Sequence, residues 1–231
     1  QNNMIKQILN FGDQGLICDF GDEVKKEINL KVISLFKIIN FKIKNNEIHG
    51  IKNCTPSYNK LIINFNLEVI SFQQLSKIVT SVQEQDLNKI LENQKTWKIP
   101  VCYDEEYGID QKRISEYTGL SISEILDIHQ KTNFYIYMIG FMPGFPYMGD
   151  LDDKLYTPRL ETPRVEILDG SVIIAEKFCA IYPYKSPGGW NILGRTPIKL
   201  FDQHSKNPCL LFPGDNVEFY KINLEEFKKL A

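Results

Sequence analysis

Val172-Ile173-Ile174-Ala175 and then Phe178-Cys179-Ala180-Ile181-Tyr182, parted only by Glu176-Lys177, decide the fold class. Apolar runs of four or five residues suit strands buried in a sheet, whereas helices need about ten residues or more. From Phe134 onward the chain is punctuated by Pro and Gly, and further apolar runs follow at 198–201, 210–212 and 217–220. Pro213-Gly214-Asp215 reads as a turn before a last strand, since Pro presets one backbone angle and Gly supplies the other. Short strands at regular spacing between turn residues predict a β-barrel or sandwich.

Working back from there, the texture changes. Residues 15–20 read as a strand stopped by Gly21, and Val24, Ile28, Val32, Leu35 and Ile39 recur at helical spacing. A second strand is expected over 60–67, rich in Ile and Phe. Ser71-Phe72-Gln73-Gln74 then has the form of a capping box, in which Ser71 satisfies the amide of Gln74 and Gln74 reaches back. Leu75, Ile78, Val79 and Val82 continue that helix on one face. The first part is therefore an α+β layer, a sheet with helices on one side. The polar stretch 83–95 suggests the boundary, giving an N-terminal α+β sandwich domain over 1–90 and a barrel domain over 91–231. Within the latter, 96–102 reads as a strand and two short helices follow, the second opened by the capping box Ser121-Ile122-Ser123-Glu124.

Composition narrows the function. The net charge is −2 with no basic stripe, so there is no electrostatic footprint for nucleic acid. Five cysteines without a CxxC pair, and three scattered histidines, suggest neither a disulfide framework nor a metal site. Residues 1–10 lack a basic start followed by an apolar run, and the most apolar stretch, 134–148, is short and broken by Pro143 and Pro146. A cytoplasmic protein is the expectation.

Three segments carry more chemistry than a connector needs. In 140–149, Gly140-Phe141-Met142-Pro143-Gly144-Phe145-Pro146-Tyr147-Met148-Gly149, alternating Gly and Pro shape a loop whose aromatics, notably Phe141 and Phe145 beside Pro143, line a pocket or plug a barrel end. Thr157-Pro158-Arg159 and Thr162-Pro163-Arg164 each set a guanidinium on rigid backbone, suited to gripping a carboxylate or phosphate, or else to surface pairing with Glu161 or Glu166. In Tyr182-Pro183-Tyr184-Lys185-Ser186-Pro187-Gly188-Gly189-Trp190, followed by Gly194-Arg195-Thr196-Pro197, the glycines let backbone amides approach an anion. Tyr182 and Trp190 offer flat walls there, and Ser186 and Arg195 a polar grip. No phosphate loop, nucleophile elbow or paired carboxylates stand out, so the residues alone point to a binding role.

Taken together, PGFPY, the TPR pair, GSVIIA, SPGGW, GRTP and the LLFPGDNVEF ending resemble the family of 5-oxoprolinase B subunits, also called allophanate hydrolase subunit 1 or carboxyltransferase subdomains C and D. That family includes an inhibitor of a sporulation histidine kinase. The resemblance implies a small α+β domain followed by a cyclophilin-like β-barrel. It also implies a partner, the C subunit of 5-oxoprolinase. Together with the A subunit, the two would carry out an ATP-dependent opening of the cyclic amide 5-oxoproline to glutamate. On this resemblance Arg164, Arg195 and the Gly188-Gly189 amides would face substrate or phosphate, with Tyr182 and Trp190 shaping the pocket and no metal involved. The competing reading is a protein that inhibits a sensor kinase, or a relative acting on a different amide or lactam. The chain departs from the family pattern at Glu166, at Leu168-Asp169, and at Glu176-Lys177, which brings acids near the proposed anion site.

Overall fold

The structure, a computed structural model, describes residues 5–82 and 94–231, so the polar stretch 83–95 lies almost wholly outside the described residues. The chain divides into two compact units, 1–94 and 95–231.

In the first unit β1 (Gln7–Asn10), β2 (Gly15–Asp19), β3 (Ile51–Pro56) and β4 (Lys60–Phe65) form an antiparallel sheet in the order β1-β2-β4-β3. Period-two alternation turns Leu16 and Cys18 of β2, and Leu61, Ile63 and Phe65 of β4, to one face. They share a single core with Val32, Leu35 and Ile39 of helix α1 (Lys26–Lys44) and Leu75 and Val79 of helix α2 (Phe72–Ser81). Both helices therefore cover the same side of the sheet, as the apolar spacing requires. The Ser71 capping box forms as read, with Gln74 N donating to Ser71 Oγ and Ser71 N donating to Gln74 Oε1. Val24 falls before α1 and stays exposed. The mostly exposed edge strands β1 and β3 carry no clean alternation, and no reading of the sequence anticipates them.

The second unit is built on a closed seven-stranded barrel. Its strands are β5 (Thr96–Cys102), β6 (Phe134–Ile139), β7 (Pro146–Gly149), β9 (Ser171–Ala175), β10 (Phe178–Ile181), β12 (Asn191–Arg195) and β13 (Asn216–Ile222). They run round in the order β10-β7-β6-β13-β5-β12-β9, and β9 closes on β10. β5 runs parallel to β13 along its length but meets β12 only at Cys102, so Pro100, with no N–H, sits where the ladder is one-sided. A separate two-stranded hairpin pairs β8 (Arg164–Ile167) with β11 (Ser186–Gly188). Helices α3 (Gln111–Thr118) and α4 (Ile122–Lys131), the latter opened by the Ser121 box, send Ile114 and Ile125 into the barrel core. A closing helix α5 (Leu224–Leu230) escapes the sequence reading; at seven residues it is too short to show a helical stripe.

The unbroken apolar run of β9 has a physical cause. Val172 and Ile174 face the barrel core, while Ile173 and Ala175 join a second cluster with Phe145, Ala180, Tyr182, Trp190 and Ile192. The strand is buried on both faces, so neither parity of position is free to be polar.

Two expected strands do not exist. Residues 198–201 and 210–212 form the arms of a loop joined at one bridge, Phe201 to Cys209, with Leu210 N donating to Leu200 O. Leu200 and Leu211 are apolar because they seal into the barrel core.

Candidate functional site

The second apolar cluster is the floor of a cleft of about 370 Å³. Phe145 and Tyr182 are almost fully buried, and Phe145 meets Tyr182, Trp190 and Tyr147 edge-on at ring separations of 5.3, 6.2 and 5.0 Å. Edge-to-face contact aligns the positive rim of one ring with the negative face of the next, which fixes these walls. Phe141 stands at the mouth, two-thirds exposed and held by a positive φ of 67°. It packs on Phe145 at 5.5 Å. Leu160, Pro163, Pro187, Gly188 and Gly189 complete the lining.

Polar groups in the cleft are few and placed. Among the described residues Arg159 is the one cationic side chain in the lining, and its guanidinium lies 5.5 Å from the centre of the Trp190 ring. Its ion pair with Glu176, at 3.7 Å between two well-exposed side chains, is weak and exchangeable. Burial pushes the Tyr182 hydroxyl up to about 12 and also raises that of Tyr147, so both are neutral at physiological pH. Gly188 has a steric reason to be glycine: a Cβ there would lie 1.9 Å from the Tyr182 hydroxyl oxygen. Gly189 has room, with nothing nearer than 3.6 Å. The segment carrying Arg159 is fastened from beneath. Leu160 N donates to Gly189 O at 2.7 Å. Asn191, fully buried, donates to Pro158 O and Ile174 O, while its own oxygen accepts from Arg113 Nε of α3.

Of the residues singled out from sequence, Phe141, Phe145, Arg159, Tyr182, Gly188, Gly189 and Trp190 converge on this cleft. Pro143 lies in the 140–145 turn and does not line the cleft. Ser186 turns its hydroxyl to Pro187 O. Arg164 forms a 2.5 Å ion pair with buried Asp110. Arg195 lies apart, bonded through Nε and Nη2 to Asp169 and stacked over Tyr107 and Phe227 at 5.6 and 5.7 Å. It lines a smaller polar pocket with Asp169, Thr196 and Phe227 instead. The acids that break the family pattern are thus partners of cations: Asp169 of Arg195, Glu176 of Arg159 and Glu166 of Lys185. Sequence reasoning missed Leu160 and Asp110; nothing local marks Asp110 except its place at the start of α3, where its side chain makes no capping bond.

An aromatic box edged by one guanidinium, on a closed barrel, has the shape and charge that suit a small, flat, partly anionic molecule. The model of the carboxyltransferase domain, subdomain C and D, matches residues 6–211. Over 96% of its length the chain is 33% identical to the 5-oxoprolinase B subunit of Bacillus subtilis, covering 95% of that protein. Over 53% of its length it is 39% identical to that of Escherichia coli O157:H7, covering 56%. Among solved structures, TTHA0988 superposes with a TM-score of 0.80 at 30% identity, over 91% of this chain. The chain spans only 40% of the TTHA0988 chain. A conserved uncharacterized protein of Pyrococcus horikoshii matches with a TM-score of 0.56 at 35% identity, over 96% of this chain and all of that one. The Kluyveromyces lactis urea carboxylase, at 19% identity and a TM-score of 0.69 over 99% of this chain and 24% of its own, shares the fold. The chain belongs to the carboxyltransferase domain, subdomain C and D, family.

Proposed function

We propose that this chain is the B subunit of an ATP-dependent 5-oxoprolinase, a non-autonomous part that works with the C and A subunits to open 5-oxoproline to glutamate. The single observation that carries the reading is the match to a protein of that name along nearly the whole of both chains. The cleft supports it chemically. At about 370 Å³ it lies at the small end of ligand sites, which run from roughly 300 to 1,000 Å³. A five-membered lactam ring has room in a cleft of this volume, against the aromatic wall that Tyr147 and Trp190 form. Its carboxylate is the natural partner for Arg159, displacing the weak contact to Glu176. The neutral Tyr182 hydroxyl lines the cleft and can donate to the lactam carbonyl.

The cleft does not fit a nucleoside triphosphate, whose several charges one guanidinium cannot balance. On this reading ATP is handled elsewhere in the assembly, and the chain contributes recognition of the lactam. The test is glutamate formation by the chain together with the C and A subunits, using 5-oxoproline and 2-pyrrolidone, the same ring without its carboxylate. We expect turnover of 5-oxoproline, with 2-pyrrolidone binding at least about tenfold more weakly as an inhibitor, the worth of one charge-assisted pair. Equal affinity for the two would remove Arg159 from the recognition. A stable assembly that leaves 5-oxoproline intact would remove the substrate.

A further inference from the structure

The hairpin of β8 and β11 stands outside the barrel ladder, yet it provides Gly188 as cleft lining and is flanked by Pro163 and Gly189, which line it too. In its register Gly188 lies opposite Arg164, so Arg164 leaves the hairpin at the level of the cleft wall. Its Nη2 donates to Asp110 Oδ1 at 2.5 Å. The other oxygen, Oδ2, accepts from the backbone N–H of Ile192 at 2.7 Å, while Asp110 N donates to Ile192 O. Asp110 is therefore locked to barrel strand β12, two residues beyond Trp190. It also stands as the N-cap of α3, where an Asp usually accepts from its own helix; here it makes no such bond, and its two oxygens serve Arg164 and Ile192 instead. Next to it, buried Gln111 bonds Tyr103 O and Leu193 O, both at 2.8 Å, so the seat of the pair is rigid.

We infer that Arg164 is a positioning residue: the Arg164–Asp110 pair ties the hairpin to the barrel and sets how far the Pro163 and Gly188 wall of the cleft stands from the Phe145 and Tyr147 wall. This rests on the cleft being the substrate site. A guanidinium carried on the hairpin and bonded to a buried carboxylate fixes distance and direction together, which a lysine cannot reproduce. The Nη1 of Arg164 is buried with no hydrogen-bond partner among the described residues, and the guanidinium is bonded to Asp110 through Nη2.

The test uses the full chain carrying Trp97→Phe, which leaves Trp190 as its one tryptophan, and compares Arg164→Gln, Arg164→Lys, Asp110→Asn and the Arg164→Gln/Asp110→Asn double variant. Without substrate, acrylamide quenching of Trp190 should rise in both Arg164→Gln and Asp110→Asn and rise no further in the double variant, because one pair has been cut from either side. With the C and A subunits present, KM for 5-oxoproline should rise about tenfold or more in each while kcat changes little, a cost typical of small misplacement. Arg164→Lys should fall between. Mere instability would lower the active fraction and kcat and leave KM alone. Unchanged quenching overturns the inference, and so does a KM effect confined to Arg164, which would mark direct contact with substrate. If the parent shows no response to 5-oxoproline, the functional reading fails, and the quenching arm still decides on the pair.

Discussion

At Gly188 one missing methyl group shapes the site. A Cβ would meet the Tyr182 hydroxyl at 1.9 Å, and that oxygen belongs to a ring 2% exposed and wedged against Phe145, so it cannot retreat. Gly188→Ala is expected to displace Tyr182 and weaken 5-oxoproline use at least about tenfold. Gly189→Ala, with 3.6 Å of clearance, should leave KM within about twofold; steady-state KM in the assembly compares the two, and equal effects would mean that the clash with Tyr182 is not what shapes the site. Arg159 offers the second residue-scale prediction. Arg159→Ala should raise KM about tenfold or more, and Glu176→Gln should change it little or lower it, because the Glu176 contact competes with substrate. The aromatic and glycine members of the site were legible in sequence because their types have few other reasons to cluster. The sequence reading placed Arg164 and Arg195 at the substrate ahead of Arg159, and only the folded partners, Asp110 and Asp169, tell which guanidinium is already engaged.

Elements show why a pattern can succeed in one strand and fail in another. Capping boxes at Ser71 and Ser121 are local chemistry, and the helices start where the boxes say. The apolar runs at 172–175 and 178–182 became β9 and β10, while 198–201 and 210–212 became a loop, because burial against the barrel end leaves the same apolar trace as burial in its wall. Helix α4 carries a less visible feature. His129 is fully buried, stacked 4.7 Å from Phe219, with Nδ1 against the Tyr103 hydroxyl and Nε2 against the Cys179 sulfur. Desolvation lowers its pKa from 6.5 to about 3 in the fold. The unfolded chain therefore takes up this proton near pH 6.5 and the folded chain does not. Stability from this group is intact above pH 6.5 and declines by roughly 1.4 kcal/mol per pH unit as pH falls from there towards about 3. Urea unfolding at about pH 7.5 and about pH 5.5 should show that loss, and His129→Phe should flatten the slope, whatever it does to absolute stability. A slope identical in the variant would assign acid sensitivity to other groups.

At the scale of the molecule, the described residues of this two-unit chain include an aromatic cleft suited to a small anionic ring, and no helix among them is long and apolar enough to cross a membrane. Strand spacing left a barrel or a sandwich, and the family resemblance pointed to the barrel. The cleft did not follow from strand spacing, since it is assembled by a hairpin packing across strands far apart in sequence. The central claim is the proposed division of labour, in which this chain recognises the lactam and ATP is handled by the C and A subunits. The most direct measurement is ADP release, with and without 5-oxoproline, by the chain alone, by the C and A subunits alone, and by the three together. The account predicts release stimulated by 5-oxoproline only in the complete mixture. Stimulated release by the C and A subunits without this chain would contradict it.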